Sequence, residues 1–481
     1  MRPKIASLPP DPRWLGGAPG RDLARFGLSI AIAAAFSTAQ AFLIPRQLDL
    51  VTFGQYRLFL VYVGFLEVLN FGLADGAFLR WAGRQPSAIA YEWRTVGRWL
   101  LAIQLAVACA ALLGAAIVAS PLHRLYLIAF SAAAMFVNAQ VLSSYALQAS
   151  GDFNAAGRIA VLAPGLFVIS VISLQMHTLA ALLTAYISTL AITALYAARC
   201  VASATPAHDD AVAIAERGAL DAPGIAALMH TGAPVLGASI AAILARSADK
   251  ILVSIATPIT SFARYGFAST VMVTANVAIH ALSRVALSHA ARRTREERAR
   301  FIGGFFDIIA AGYGLGLVAE PLFEHLVARY LPLYVDALPI LRALLFGLPL
   351  TVATQVVLVG TLQSYDLARR QFAVQLYGVA LGLAACGTAL AMHAPLWAVA
   401  TAATLASAAT FATGVAIVNR AVPEARDQAC LRFTLLVALQ SAALLVALQS
   451  SGAWPRQTAA YTLLALVPTW FAARQVREHG W

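Results

Sequence analysis

With 60% of its 481 residues hydrophobic, 12% charged and a mean hydropathy of +0.75, the chain is far more apolar than a soluble protein, in which about a quarter of residues are charged. Its net charge of +12 is spread between apolar runs rather than gathered in one block. That distribution argues against a nucleic-acid-binding surface and reads as the topology signals of a membrane protein. Cys109, Cys200, Cys386 and Cys430 form no CxxC or Cys/His metal spacing.

Residues 1–23 read as a short cytoplasmic tail without the apolar core of a secretion signal. A helix needs about 20 apolar residues to cross the hydrocarbon. Such runs follow at 24–45, 55–79, 98–119, 125–148, 158–175 and 178–199, the first six-helix half. Residues 200–228 form a cytoplasmic linker, in which His208, Asp209 and Asp210 read as solvated rather than metal-binding. The second half, 229–418, holds runs at 229–257, 262–290, 301–320, 338–362, 371–391 and 395–418. Two more, at 431–449 and 457–474, lie in 419–481. The fold class expected is an all-α polytopic membrane protein of about fourteen transmembrane helices. Arginine-rich connections, such as Arg80–Arg98 and Arg292–Arg300, alternate with arginine-poor ones. By the positive-inside rule this places both termini in the cytoplasm. The longest outer link, Pro321–Ile340, reads as interfacial.

TFGQY (Thr52–Tyr56) recurs as SFARY (Ser261–Tyr265), each in an outer connection after an apolar run. The shift that carries Thr52 onto Ser261 also carries Ala39 onto Ala248, Leu43 onto Leu252 and Arg84 onto Arg293. LQASGD (Leu147–Asp152) ends the fourth run and LQSYD (Leu362–Asp366) the tenth, at a slightly larger shift. The unit is therefore six spans. Because six is even, the second unit enters with the same orientation, as two parallel repeats about an axis along the membrane normal. In the aligned register Gln40 corresponds to Asp249 and Gln55 to Arg264, so the second half carries charge where the first is neutral.

IPRQLDLVTFGQYRLFLVYVGFLEVLNFGLADGAFLR resembles the opening of the polysaccharide-export flippases of the MOP superfamily. SADKILVSIATPITSFARYGFAS resembles their seventh span and the turn after it, and RYLPLYVDALPILRALLFGLPL their segment leading into the tenth. The resemblance implies translocation of undecaprenyl-diphosphate-linked oligosaccharide to the outer leaflet of a bacterial inner membrane. It also implies partners among polysaccharide polymerase and assembly proteins. The lipid II branch carries an Asp-Arg pair early in the eighth span, where this chain reads YGFASTVM; the departure favours an O-antigen or exopolysaccharide cargo.

A charge in a bilayer is costly unless shielded, so polar residues inside the runs are the site candidates. Glu67 and Asn70 share one face of the second span. The register carries Glu67 onto Asn276, which heads a stripe with His280 and Arg284 on the eighth. The two helices line a hydrated cavity between the halves, or their polar groups join helices by hydrogen bonds. Arg246, Asp249 and Lys250 cluster on the seventh span, either to capture an anionic diphosphate headgroup or as a structural ion pair. Arg57 and Arg264 are expected at the outer mouth as interfacial anchors, and Asp75, Asp307 and Glu320 as capped or interface carboxylates. No GxxxxGK[ST] phosphate loop exists, so ATP is not the direct energy source. No cofactor is expected; transport is passive or coupled to H⁺ or Na⁺. The alternatives are an ion-coupled drug or small-solute antiporter and, further off, a membrane glycosyltransferase or polysaccharide ligase.

Overall fold

The computed structural model describes residues 19–81, 86–203, 222–272, 295–358, 361–362, 367–421, 429–449 and 454–478, and among them every regular element is helical. The first half comprises α1 (Pro19–Gln47), α2 (Leu50–Val63), α3 (Leu73–Trp81), α4 (Pro86–Ile117), α5 (Pro121–Ala149), α6 (Phe153–Leu174) and α7 (Leu179–Ser203). The second comprises α8 (Ala222–Ala256), α9 (259–272), α10 (Arg295–Leu317), α11 (Glu320–Tyr330), α12 (Leu338–Ala353), α13 (Ala368–Ala391) and α14 (Leu396–Ala421). Then come α15 (Ala429–Gln449) and α16 (Trp454–Glu478). Ten of the described helices are long and apolar enough to cross a membrane, or twelve if each of two bent pairs is one span. The two remaining expected spans are α9, described only over its first part, and α16, a 25-residue helix interrupted by Pro468.

The packing repeats from half to half. α1 packs on α6 as α8 packs on α13; α5 packs on α7 as α12 packs on α14; α6 packs on α7 as α13 packs on α14. A local signature repeats too. Asp152 N–H donates to Leu147 O at 2.9 Å, and Leu367 N–H donates to Leu362 O at 2.8 Å. Each closes the C-terminus of an equivalent span with the same six-residue turn. The halves are unequal in one respect: α10 packs on α15 and α16, which have no counterpart in the first half. There Arg432 of α15 donates twice to Asp307 of α10, at 3.1 and 2.7 Å, and Asp307 is fully buried. Tyr461 adds a bond to Gly314 O at 2.8 Å. Asp307 is thus an interface carboxylate, as its place in the sequence suggests.

The second span departs from a straight helix. α2 and α3 are separated by a 3₁₀ segment, Leu66–Asn70, and bent by 59°. Phe71 and Gly72 have φ of 52° and 80°, a left-handed pair that ends the helical run. Asn70 fixes the break: its amide donates to Glu67 O at 2.7 Å and its carbonyl accepts from Gly72 N–H at 2.7 Å. The TFGQY motif also moves. Asp49 caps α2 by accepting from Thr52 N–H at 2.6 Å, so Thr52–Tyr56 forms the first turns of a helix, and Ser261–Tyr265 lies inside α9. Neither motif is a connection, because the cap starts the helix several residues earlier than the apolar run does.

The two motif helices cross each other. A Cβ on Gly54 would lie 2.5 Å from Ile259 O and 3.3 Å from Cβ of Ala263; a Cβ on Gly266 would lie 3.2 Å from Cβ and Cγ of Arg57. Gly54 aligns with Ala263, and Arg57 with Gly266, in the register of the repeat. Residues that meet their own repeat mates lie on the axis relating the repeats, so α2 and α9 run beside that axis. A second close approach joins the halves at the opposite end of α2–α3. There a Cβ on Gly76 would lie 2.0 Å from Leu228 O, and one on Gly232 would lie 1.9 Å from Gly72 O.

Only a hydrogen fits at Gly232, so Gly232→Ala should cost about 1–3 kcal/mol by overpacking and lower the melting temperature in detergent. Gly237→Ala, on the same helix with nothing within 4 Å of its Cβ, should leave it unchanged or raise it slightly. Equal melting temperatures for the two variants would refute this close approach.

Candidate functional site

A cavity of ≈ 460 Å³ lies on the far side of the α2–α9 crossing. α2 contributes Arg57 through Gly64, and α8 contributes Ala245 through Lys250. The rest of the wall comes from α9, α12, the π turn Thr354–Leu358, α13 and α14. The cavity therefore sits within the second half, capped by one helix of the first. α2 and the described part of α9 both reach it, as expected of the second and eighth spans; the rest of the eighth span lies outside the described residues.

Among the described residues, four charged ones line it: Arg57, Arg246, Asp249 and Lys250. Asp249 is already occupied. Its Oδ2 accepts from Tyr265 OH at 2.7 Å, and its Oδ1 accepts from Lys250 Nζ at 3.2 Å. Lys250 Nζ also donates to Arg246 O, one turn back on α8. Arg246 was expected beside both neighbours, but its guanidinium enters no ion pair with Asp249 among the described residues. The nearer Lys250 takes the carboxylate. The carboxylate that acts electrostatically on Arg246 is Glu67, in the 3₁₀ segment after α2.

Arg57 is the larger correction. It lines the cavity instead of anchoring the outer mouth, and its Nε is buried without a hydrogen-bond partner. The physical reason is the Asp49 cap. Eight residues past it, at 1.5 Å each, Arg57 lies about 12 Å into the helix. Gly266 on the facing helix supplies the room, since any side chain there would strike the stem of Arg57. Arg264 is ion-paired to the exposed Asp336 at 3.1 Å.

Asn70 does not reach the cavity. It is 2% exposed and spends both ends of its amide on the backbone at the helix break. Glu67, in the same 3₁₀ segment, is exposed. Asn276, His280 and Arg284 lie outside the described residues. Of the carboxylates set aside as caps or interfaces, Asp75 is buried and accepts from Tyr145 OH at 3.5 Å, and Glu320 lies at a bend beside Arg342.

The opposite wall is polar and uncharged. Thr351, Thr354 and Thr410 donate to Gly347 O, Leu350 O and Ala406 O at 2.7–3.0 Å, so their hydroxyls keep lone pairs to offer as acceptors. Gln375 donates to Gln355 Oε1 at 3.5 Å. Both amides were legible in the sequence as polar letters inside apolar runs, but a search confined to charges and the Glu67 register passes over them. The cavity thus presents cations on α2 and α8 and neutral hydrogen-bonding groups on α12–α14.

No protein-family model matches the chain, and no curated protein matches its sequence. Its likeness is to solved folds. A lipid II flippase, MurJ, in an inward closed conformation superposes with a TM-score of 0.67 at 11% identity, over 93% of this chain and 98% of that one. An outward-facing multidrug resistance MATE family transporter of the MOP superfamily gives 0.61 at 14%, over 86% and 98%. A MOP superfamily transporter from Pyrococcus furiosus, described as having a binding pocket of reversed polarity, gives 0.60 at 14%, over 86% and 98%. These likenesses establish the fold: a polytopic all-α membrane protein of the MOP type, with two six-helix repeats and two further helices.

Asp249 holds two partners, so its loss should cost more than the loss of either. Asp249→Ala leaves an ammonium in the bundle without its carboxylate, for about 3–5 kcal/mol; Tyr265→Phe removes one charge-assisted bond, for about 1.5–3 kcal/mol. Melting temperatures of the purified variants check the order. A Tyr265→Phe protein that melts below Asp249→Ala would show that Asp249 is not the hub.

Proposed function

We propose that the protein is a flippase that moves undecaprenyl-diphosphate-linked oligosaccharide from the cytoplasmic to the outer leaflet of a bacterial inner membrane. The observation that carries this reading is the charge balance of the cavity. Among the described residues three cations line it against one carboxylate, and that carboxylate is already shared by Lys250 and Tyr265. A diphosphate is the complementary ligand, since guanidinium groups grip phosphate oxygens through two donors. Arg57 and Arg246 supply those donors from two helices, and the hydroxyl and amide wall faces the sugar. The lipid tail stays in the bilayer, so only the headgroup needs the cavity.

The transport step follows from the repeat. α2 belongs to the first half, while the rest of the cavity wall belongs to the second. A headgroup held by Arg57 and Arg246 therefore bridges the halves. Rocking about the axis would part the Gly54–Ile259 approach or the Gly72–Gly232 approach in turn, opening the cavity to one leaflet and then the other. On the charge-rule orientation the glycine contact at Gly232 faces the cytoplasm and the one at Gly54 faces outward.

A drug antiporter on this scaffold is the second reading, and the fold it shares with MATE transporters supports it. Binding to the purified protein separates the two. Polyprenyl diphosphate should bind the wild type and lose roughly tenfold to a hundredfold in affinity in Arg57→Ala or Arg246→Ala, for one charge-assisted contact removed. Surface polysaccharide in cells should fall in both variants at unchanged protein level. Diphosphate affinity unchanged in both variants, or preferential binding of a lipophilic organic cation, would overturn the flippase reading.

A further inference from the structure

A second cluster of charge lies away from the cavity, where α10 turns into α11 through 41°. Glu320 opens α11, Glu324 stands one turn on, and Arg342 reaches them from α12. Arg342 donates from Nε and from a terminal nitrogen to the two oxygens of Glu324. Glu320 is left with the remainder: its Oε1 lies 3.6 Å from Arg342 Nε, beyond hydrogen-bonding distance. Glu320 is 4% exposed, and both its carboxyl oxygens are buried without a hydrogen-bond partner.

Two carboxylates against one guanidinium leave a negative charge over. In a buried place that charge costs several kcal/mol unless a cation or a proton cancels it. The two carboxyl groups stand one turn apart on α11 and face the same Arg342 Nε. One proton therefore solves both problems: Glu320 O–H donates to Glu324, Glu324 keeps its charge for Arg342, and the cluster is neutral. Among the described residues, the elements packed on α11 also carry Arg46, on α1, whose Phe42 meets Phe323, and Arg456, on α16, and neither is among the groups that act on Glu320. The 3₁₀ turn Pro332–Ala337 carries Asp336, which is paired to Arg264, and Tyr334; α16 brings Trp454 against His325. The charges acting on Glu320 are Glu324 and Arg342.

We propose that Glu320 and Glu324 form a proton-binding site in which one exchangeable proton is shared between the two carboxyl groups and locks α11 to α12. Arg342 is 34% exposed on its side chain and joins the buried Glu320 to the surface of the bundle. Its release leaves a net negative charge and drives Glu320 toward water, loosening the bend from α12. The next turns of α12, through Leu344, Gly347 and Thr351, line the cavity, so the site is placed to link protons to the state of the chamber. The inference concerns the proton alone and does not rest on the identity of the cargo.

Infrared difference spectra of the full-length protein in lipid nanodiscs, recorded between neutral and alkaline pH without any substrate, test it. The wild type should lose one protonated-carboxyl band on raising the pH, and Glu320→Gln should lack that band. Glu324→Gln should lack it as well, since Glu320 then ionises against the freed Arg342. The Glu324→Gln arm keeps the test alive should Glu320→Gln fail to fold. A band that persists in either variant, or a wild type with no such band, overturns the proposal.

Discussion

The bundle is governed by the cost of holding charge out of water. Among the described residues its interior has few carboxylates, and most of the buried ones are committed to partners: Asp307 to Arg432, Glu92 to Arg80 and Trp81, Glu324 to Arg342, Asp249 to Lys250 and Tyr265, with Glu320 the exception. A lone charge at these depths would cost several kcal/mol, so each pair also fastens one helix or turn to another. What the pairing does not use is then visible. Arg57 and Arg246 reach the cavity without a carboxylate bonded to them among the described residues, and the cavity is the one place where such cations can be solvated.

The backbone obeys the same accounting. A break in a membrane helix frees donors and acceptors that lipid cannot satisfy. At the break of the second span the side chain of Asn70 takes up Glu67 O and Gly72 N–H, which is why a buried amide stands there. A break stabilised in this way can serve as a hinge between α2, which crosses α9, and α3, which packs against the first turns of α8. The two ends of one span thereby make two of the contacts between the halves.

Much of this was legible in the sequence, and the failures share a cause. Apolar runs located the spans because lipid imposes length and polarity directly. The motif pairs identified the parallel repeat, which the matched Leu147 and Leu362 turns and the meeting of Gly54 with Ala263 bear out in space. What escaped depended on where helices begin and end inside apolar sequence. Asp49 starts α2 early and so buries Arg57; the left-handed Phe71 interrupts a run that hydropathy reads as continuous. Neither the cap nor a positive φ changes the hydropathy of the run. The offset of the cavity into the second half is likewise a matter of packing, set by side chains on helices that look equally apolar.

The repeat also explains why the site is asymmetric. On an axis between two identical halves, any side chain meets its own copy, and two arginines there would repel and collide. The register places Arg57 opposite Gly266, a long cation against no side chain at all. The same register sets Asp249 against Gln40, whose amide is spent on Pro164 O at 3.0 Å in the first half. Duplication supplies two halves that can rock; divergence at these positions removes one of each pair of polar groups and leaves the other facing a cavity. A symmetric dimer of halves would have had to place its charges off the axis. This chain brings a cation onto it, within reach of both halves.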